Sequence, residues 1–191
     1  MQIGRLAARA VIGGLFIGHG TQKLFGWFDG PGLGGTEQMM GALDMRPTRA
    51  NAIAAGVSET AGGTMLMLGA ATPLAAASLI GTMATAIHKV HRPKGPWVTQ
   101  GGWEYNAVLI AALTALIDAG PGDLSVDALA GRREWGPGWA LAGLGLGGAA
   151  AATAIALGRR GGSAQDTQPD PQDEVAQASV GEPAGDPVTV G

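Results

Sequence analysis

Residues 135–158 contain no charged side chain, and this run constrains the chain more than any other feature. A helix that crosses a bilayer needs about 20 mostly apolar residues at a rise of about 1.5 Å each. Four further stretches meet or approach that length: residues 5–28, 50–70, 72–88 and 104–119. In hydrocarbon every backbone N–H and C=O must be satisfied inside the segment, so such runs are helical. The pattern predicts an all-α fold, an integral membrane bundle of four core transmembrane helices plus a fifth. The expected location is the cell membrane, with several passes and the lipid bilayer as the first partner.

The breaks between the runs have turn chemistry. Asp29-Gly30-Pro31-Gly32 closes the first, and Gly120-Pro121-Gly122 stops the fourth. Thr72-Pro73 opens the third, because Pro suits the first helical turn. Residues 88–102 form a polar loop with Lys89, Arg92 and Lys94. Trp27, Trp97, Trp103, Trp135 and Trp139 all fall near the predicted helix ends, where indole favours the membrane interface. Gly14-x-x-x-Gly18 and Gly143-x-x-x-Gly147 offer surfaces for close helix contact.

Charge and cysteine content exclude several functions. Charged residues make up 14% of the chain, against about 25% in soluble domains. The net charge of −3 hides an asymmetry: six acids follow Arg160, and no Lys or Arg does. No basic block suits nucleic acid. Cys is absent, which excludes disulfides, Cys-ligated metals and thiol catalysis by this chain. Arg5 and Arg9 ahead of an apolar run resemble the start of a signal peptide. The run continues into His19, Lys23 and Phe25-Gly26-Trp27-Phe28 without a convincing small-x-small cleavage site, so it reads as a retained first helix.

Orientation stays open at this level. With the N-terminus inside, Arg5, Arg9, Arg132 and Arg133 are cytoplasmic. The opposite orientation places Arg46, Arg49, Lys89, Arg92, Lys94, Arg159 and Arg160 there. The count favours the second, and Arg5 and Arg9 oppose it.

Ionisable residues within apolar runs are the candidates for function, because charge in hydrocarbon is costly and such groups usually face the bundle interior. His19 and Lys23 are four residues apart and share a helical face. Glu59 is mid-run, between Ser58 and Thr60. His88 closes the third run, and Glu104 and Tyr105 open the fourth. Alternating helices bring these six residues toward one membrane side as a polar pocket, with Lys23–Glu59 and His88–Glu104 as plausible pairs. Bland readings stand beside this one. Lys23 can snorkel to the interface. His19 can be a hydrogen-bonded core residue, His88 and Glu104 can sit at the water boundary, and His91 reads as a loop residue. His19 and His88 also offer a histidine pair for haem, but their depths differ, so neither haem nor a structural metal is expected.

Five motifs in this order resemble the DoxX family of small bacterial membrane proteins. They are His19-Gly20-x-x-Lys23-Leu24-Phe25-Gly26-Trp27-Phe28, Gly34-Gly35-Thr36 and Glu59-x-x-Gly62-Gly63-x-x-Leu66-x-Leu68-Gly69. Gly101-Gly102-Trp103-Glu104-Tyr105-Asn106 and Gly120-Pro121-Gly122-x-x-Ser125-x-Asp127 follow. The resemblance implies a four-helix membrane domain over residues 1–130. Residues 131–160 then read as an additional apolar helix, and 161–191 as a disordered acidic tail.

Three functions follow as expectations. The first is a subunit of a membrane redox or quinone-linked system, with a quinone or a membrane redox protein at the pocket. There His19 and Lys23 would be donors, and Glu59 and Glu104 would handle protons. The second is a noncatalytic scaffold. The third is a small-solute or proton transporter, although no inverted repeat is visible.

Overall fold

The computed structural model describes residues 3–166, with side chains through Arg160. Among these residues there are seven α-helices and no strand. They are α1 (Ile3–Phe25), α2 (Gly32–Ala42), α3 (Thr48–Leu68), α4 (Thr72–Ala86), α5 (Glu104–Ala119), α6 (Val126–Leu129) and α7 (Pro137–Asp166). The five apolar runs are α1, α3, α4, α5 and α7. α4 continues through a π-helical turn, Ile87–His91. Of the segment expected to be a tail, 161–166 prolong α7 and the rest lies outside the described residues.

One helix, over Pro137–Arg160, is long and apolar enough to cross a membrane on length and composition alone. α1 and α3 have the length but carry Arg5, Arg9, His19, Lys23, Arg49 and Glu59.

α2 is an addition to the sequence expectation. Its Gly-rich stretch shows no strong apolar period, so nothing marks it as a helix. Tertiary contact forms it instead: Thr36 is buried, and its hydroxyl donates to Lys23 O at 3.2 Å and Gly32 O at 2.7 Å.

α4 is the central helix, packed by α3, α5 and α7. Leu79 and Ile80 of α4 meet Phe16, Leu66, Leu113 and Ile117 in the main core. α1 lies on α3 at a distance that only glycine permits. A Cβ on Gly63 would stand 2.7 Å from Gly13 O and 2.9 Å from Phe16 Cβ. A Cβ on Gly20 would stand 2.6 Å from Thr60 N and 2.7 Å from Gly56 O. The contact therefore runs through Gly13 and Gly20, and not through the Gly14/Gly18 pair that the sequence pattern suggested. A Cβ on Gly18 would meet nothing within 4 Å. A seven-residue spacing is two helical turns, so Gly13 and Gly20 share the face that meets α3. The second pair does serve as an interface: a Cβ on Gly147 would stand 2.9 Å from Ala77 O, and one on Gly143 2.5 Å from Ile117 Cδ1.

α7 runs lengthwise beside α4. Near its end Gly158 O accepts from Arg46 N at 3.1 Å, and a Cβ on Gly158 would lie 2.8 Å from Met45 Sδ.

The opposite end of the bundle is closed by a buried polar network. α3 stops at Gly69, whose φ of +63° suits glycine, with Ala70 N donating to Met65 O at 2.8 Å. α4 then begins without a local side-chain cap. Asp127 supplies one from 55 residues away: its carboxylate accepts from Ala71 N at 2.7 Å, Thr72 N at 2.9 Å and Thr72 Oγ1 at 2.8 Å. Arg9 of α1 is 1% exposed, and its guanidinium donates to Pro121 O and to Leu124 O, the latter at 2.6 Å. Arg5 donates to Ala119 O.

Gly63→Ala is expected to lower stability by about 1–3 kcal/mol, because Gly13 backbone must move to admit the methyl. Gly18→Ala should be close to neutral. Thermal unfolding of both variants in one detergent checks the pair; equal midpoints would remove the close contact between α1 and α3 from the account.

Candidate functional site

Beside the α1–α3 contact, an open cavity of about 720 Å³ lies among the helices. Its wall is apolar over most of its area, with Phe16, Met40, Met83 and Leu109 among its residues. It extends to the chain end of the bundle that holds His91, Gly101 and Gly102.

Four of the six sequence candidates border this cavity: His19 and Lys23 of α1, Glu59 of α3 and Tyr105 of α5. Lys23 Nζ donates to Glu59 Oε2. Glu59 is 3% exposed. A carboxylate removed from water to that degree needs a counter-charge or a proton, and the ammonium provides the counter-charge. The pair depends on the Gly20–Gly56 approach, which holds α1 close to α3 one turn away from Lys23. His19 is exposed on the cavity wall, which removes the core-histidine reading. Tyr105 is also exposed there.

His88 and Glu104 do not line the cavity and do not pair with each other. His88 faces α7, its Nε2 lying 3.4 Å from Arg159 Nη2. Glu104 Oε1 accepts from Val98 N at 2.8 Å. The reason is local: the turn before α5 leaves a backbone N–H to be satisfied, and the carboxylate six residues on reaches it. His19 and His88 therefore do not converge on the cavity as a ligand pair. Among the described residues no group of three or more His, Asp or Glu side chains is placed to hold a metal ion.

Several cavity residues escaped sequence reasoning. Ser58 Oγ lies 2.8 Å from Ser78 Oγ and 3.0 Å from Thr82 Oγ1, a hydroxyl cluster that joins α3 to α4. Ser78 and Thr82 are four residues apart inside an apolar run, which was the available signal. Asn106, buried, donates to Met83 Sδ at 3.3 Å. Lys89 Nζ donates to Leu43 O at 2.9 Å and to Asp44 O at 3.4 Å, tying the end of α4 to the turn before α3. His91, read as a plain loop residue, borders the cavity, with Nδ1 2.6 Å from Gly101 O.

Residues 4–92 match the DoxX family model. The chain carries a DoxX domain. It spans α1 to α4 and the π-helical turn, and so contains His19, Lys23, Glu59 and His88. The motifs at 101–127 lie beyond the matched range, and Tyr105 completes the cavity wall from outside it. No curated protein and no solved structure matches the chain.

Within the DoxX domain the Lys23–Glu59 pair has an energetic signature. Glu59→Ala leaves the ammonium without a partner and is expected to lower stability by about 3–5 kcal/mol. The double variant Lys23→Met/Glu59→Leu should recover most of that loss. Unfolding midpoints of the single and double variants test this. Additive losses would mean that the two side chains do not act as a pair.

Proposed function

We propose that this DoxX protein is a multi-pass integral protein of the cell membrane, acting as a subunit of a membrane redox or quinone-linked system. α1, α3, α4 and α5 form its four-helix transmembrane core within residues 1–130, and α7 adds a fifth span. Large apolar side chains stay exposed around the girth of the bundle, including Val11, Val57, Leu74, Val108 and Leu141. Such a band is unfavourable in water and matches lipid. α4 and its π-helical turn cover residues 72–91, about 30 Å of helix at the usual rise. Trp27, Trp97 and Trp103 lie toward one end, and Trp135 and Trp139 toward the other. The last two rings are 4.9 Å apart.

The observation that carries the redox reading is the buried Lys23–Glu59 pair on the wall of an apolar cavity. A quinone has an apolar tail and a ring bearing two carbonyl acceptors. The cavity offers an apolar wall of suitable size together with donors from Lys23, His19, Tyr105 and the Ser58 cluster. Glu59 would hold or pass a proton there, and a bound quinone would supply the electron chemistry. The DoxX family is membrane-associated, and a membrane redox protein as partner accords with that setting.

A second reading has its own support. The same ion pair, with the Arg9 and Asp127 network, ties helices together, as a noncatalytic scaffold requires. Mass spectrometry of the gently solubilised protein separates the two. Under the redox reading, wild type carries a quinone or a redox protein, and Glu59→Gln loses it while retaining the helical circular-dichroism spectrum. A wild type free of both, with a variant that only unfolds more easily, would transfer the assignment to the scaffold.

A further inference from the structure

We propose that the cavity end of the bundle faces the cytoplasm, with α6 and the start of α1 on the opposite side, so that any partner reaching Lys23 and Glu59 through the mouth is cytoplasmic. The inference rests on the membrane reading above and adds the sidedness of its site.

Three contacts define the mouth end. Gly158 O accepts from Arg46 N at 3.1 Å, His88 Nε2 lies 3.4 Å from Arg159 Nη2, and Lys89 Nζ donates to Leu43 O at 2.9 Å. They gather the turn before α3, the end of α4 and the end of α7 at one level. Basic residues therefore collect there: Arg46, Arg49, Lys89, Arg92, Lys94, Arg159 and Arg160. Arg92, Lys94 and Arg160 are exposed. Arg49 is paired with Glu37 at 2.8 Å.

Arg5 and Arg9 are the residues that set the sequence count against this orientation. The structure gives them another role. Arg9 is buried with its two terminal nitrogens on backbone carbonyls, and Arg5 donates to Ala119 O. On the same side, among the described basic residues, only Arg132 and Arg133 are exposed, Arg132 with its guanidinium 5.4 Å from the Trp135 ring centre and Arg133 lying 3.7 Å from Asp123. Arg9, folded into the protein, presents no charge to lipid headgroups, and the exposed Arg132 and Arg133 are outnumbered by exposed Arg49, Arg92, Lys94, Arg159 and Arg160 at the mouth end. Exposed lysine and arginine present that charge, and they favour the anionic cytoplasmic leaflet.

The chain has no cysteine, so single cysteines report without background. Thr99→Cys marks the exposed loop at the mouth, and Ala130→Cys the exposed turn after α6. In intact expressing cells a membrane-impermeant maleimide is expected to label Ala130→Cys. It should reach Thr99→Cys only after permeabilisation, when both react. Gln100→Cys and Glu134→Cys form a second pair that should repeat the pattern. The reverse pattern would overturn the sidedness and leave the membrane bundle standing. Identical labelling at both positions would overturn the sidedness and the membrane crossing together.

Discussion

Glu59 sets the terms for the rest of the structure. It lies on the packed face of α3 with 3% of its surface exposed, where a carboxylate without a partner would be strongly destabilising. Lys23 supplies the partner from α1. It reaches Glu59 because the two helices nearly touch at Gly20 and Gly56, and again at Gly13 and Gly63. The small residues and the ion pair are thus one device. Glycine permits the approach, and the approach makes a buried charge pair possible.

The two ends of the bundle differ in how their polar groups are used. At the α6 end, Arg9 and Asp127 satisfy backbone groups left over by two helix ends and a turn. Those side chains are committed to backbone. Toward the other end the ionisable groups border a cavity instead. Ser58, Ser78 and Thr82 line its wall between α3 and α4, and Lys89 and His91 stand near its mouth. One end of the molecule is tied together by its polar groups, and toward the other such groups border the larger cavity.

The sequence motifs divided along the same line. Asp127, met in a turn-rich stretch, gave no local sign that it caps a helix 55 residues away. Arg9 read as a basic flank to an apolar run and is a buried helix tie. His88 and Glu104 read as a pair because both lie at helix ends facing one side. Each found a nearer partner, since hydrogen bonds are settled over a few ångströms and sidedness fixes position only to within a turn or two. Gly14 and Gly18 matched a small-residue pattern, but spacing alone does not say which face meets a neighbour. In an Ala- and Gly-rich helix several faces qualify.

The amino-acid sequence by itself determined the all-helical class, the five apolar runs and the turns between them. It also marked Lys23 and Glu59 as charges that need compensation. These follow from local rules: backbone satisfaction in apolar runs, turn chemistry at Gly and Pro, and the penalty for a buried charge. Only the tertiary structure decided which glycines carry the α1–α3 contact and that α2 is a helix. It likewise decided that Asp127 caps α4 and that His19 and Tyr105, but not His88 and Glu104, border the cavity. Those outcomes depend on how each helix rotates about its axis and packs, a choice made by the summed contacts of all its neighbours and invisible to any local stretch of residues.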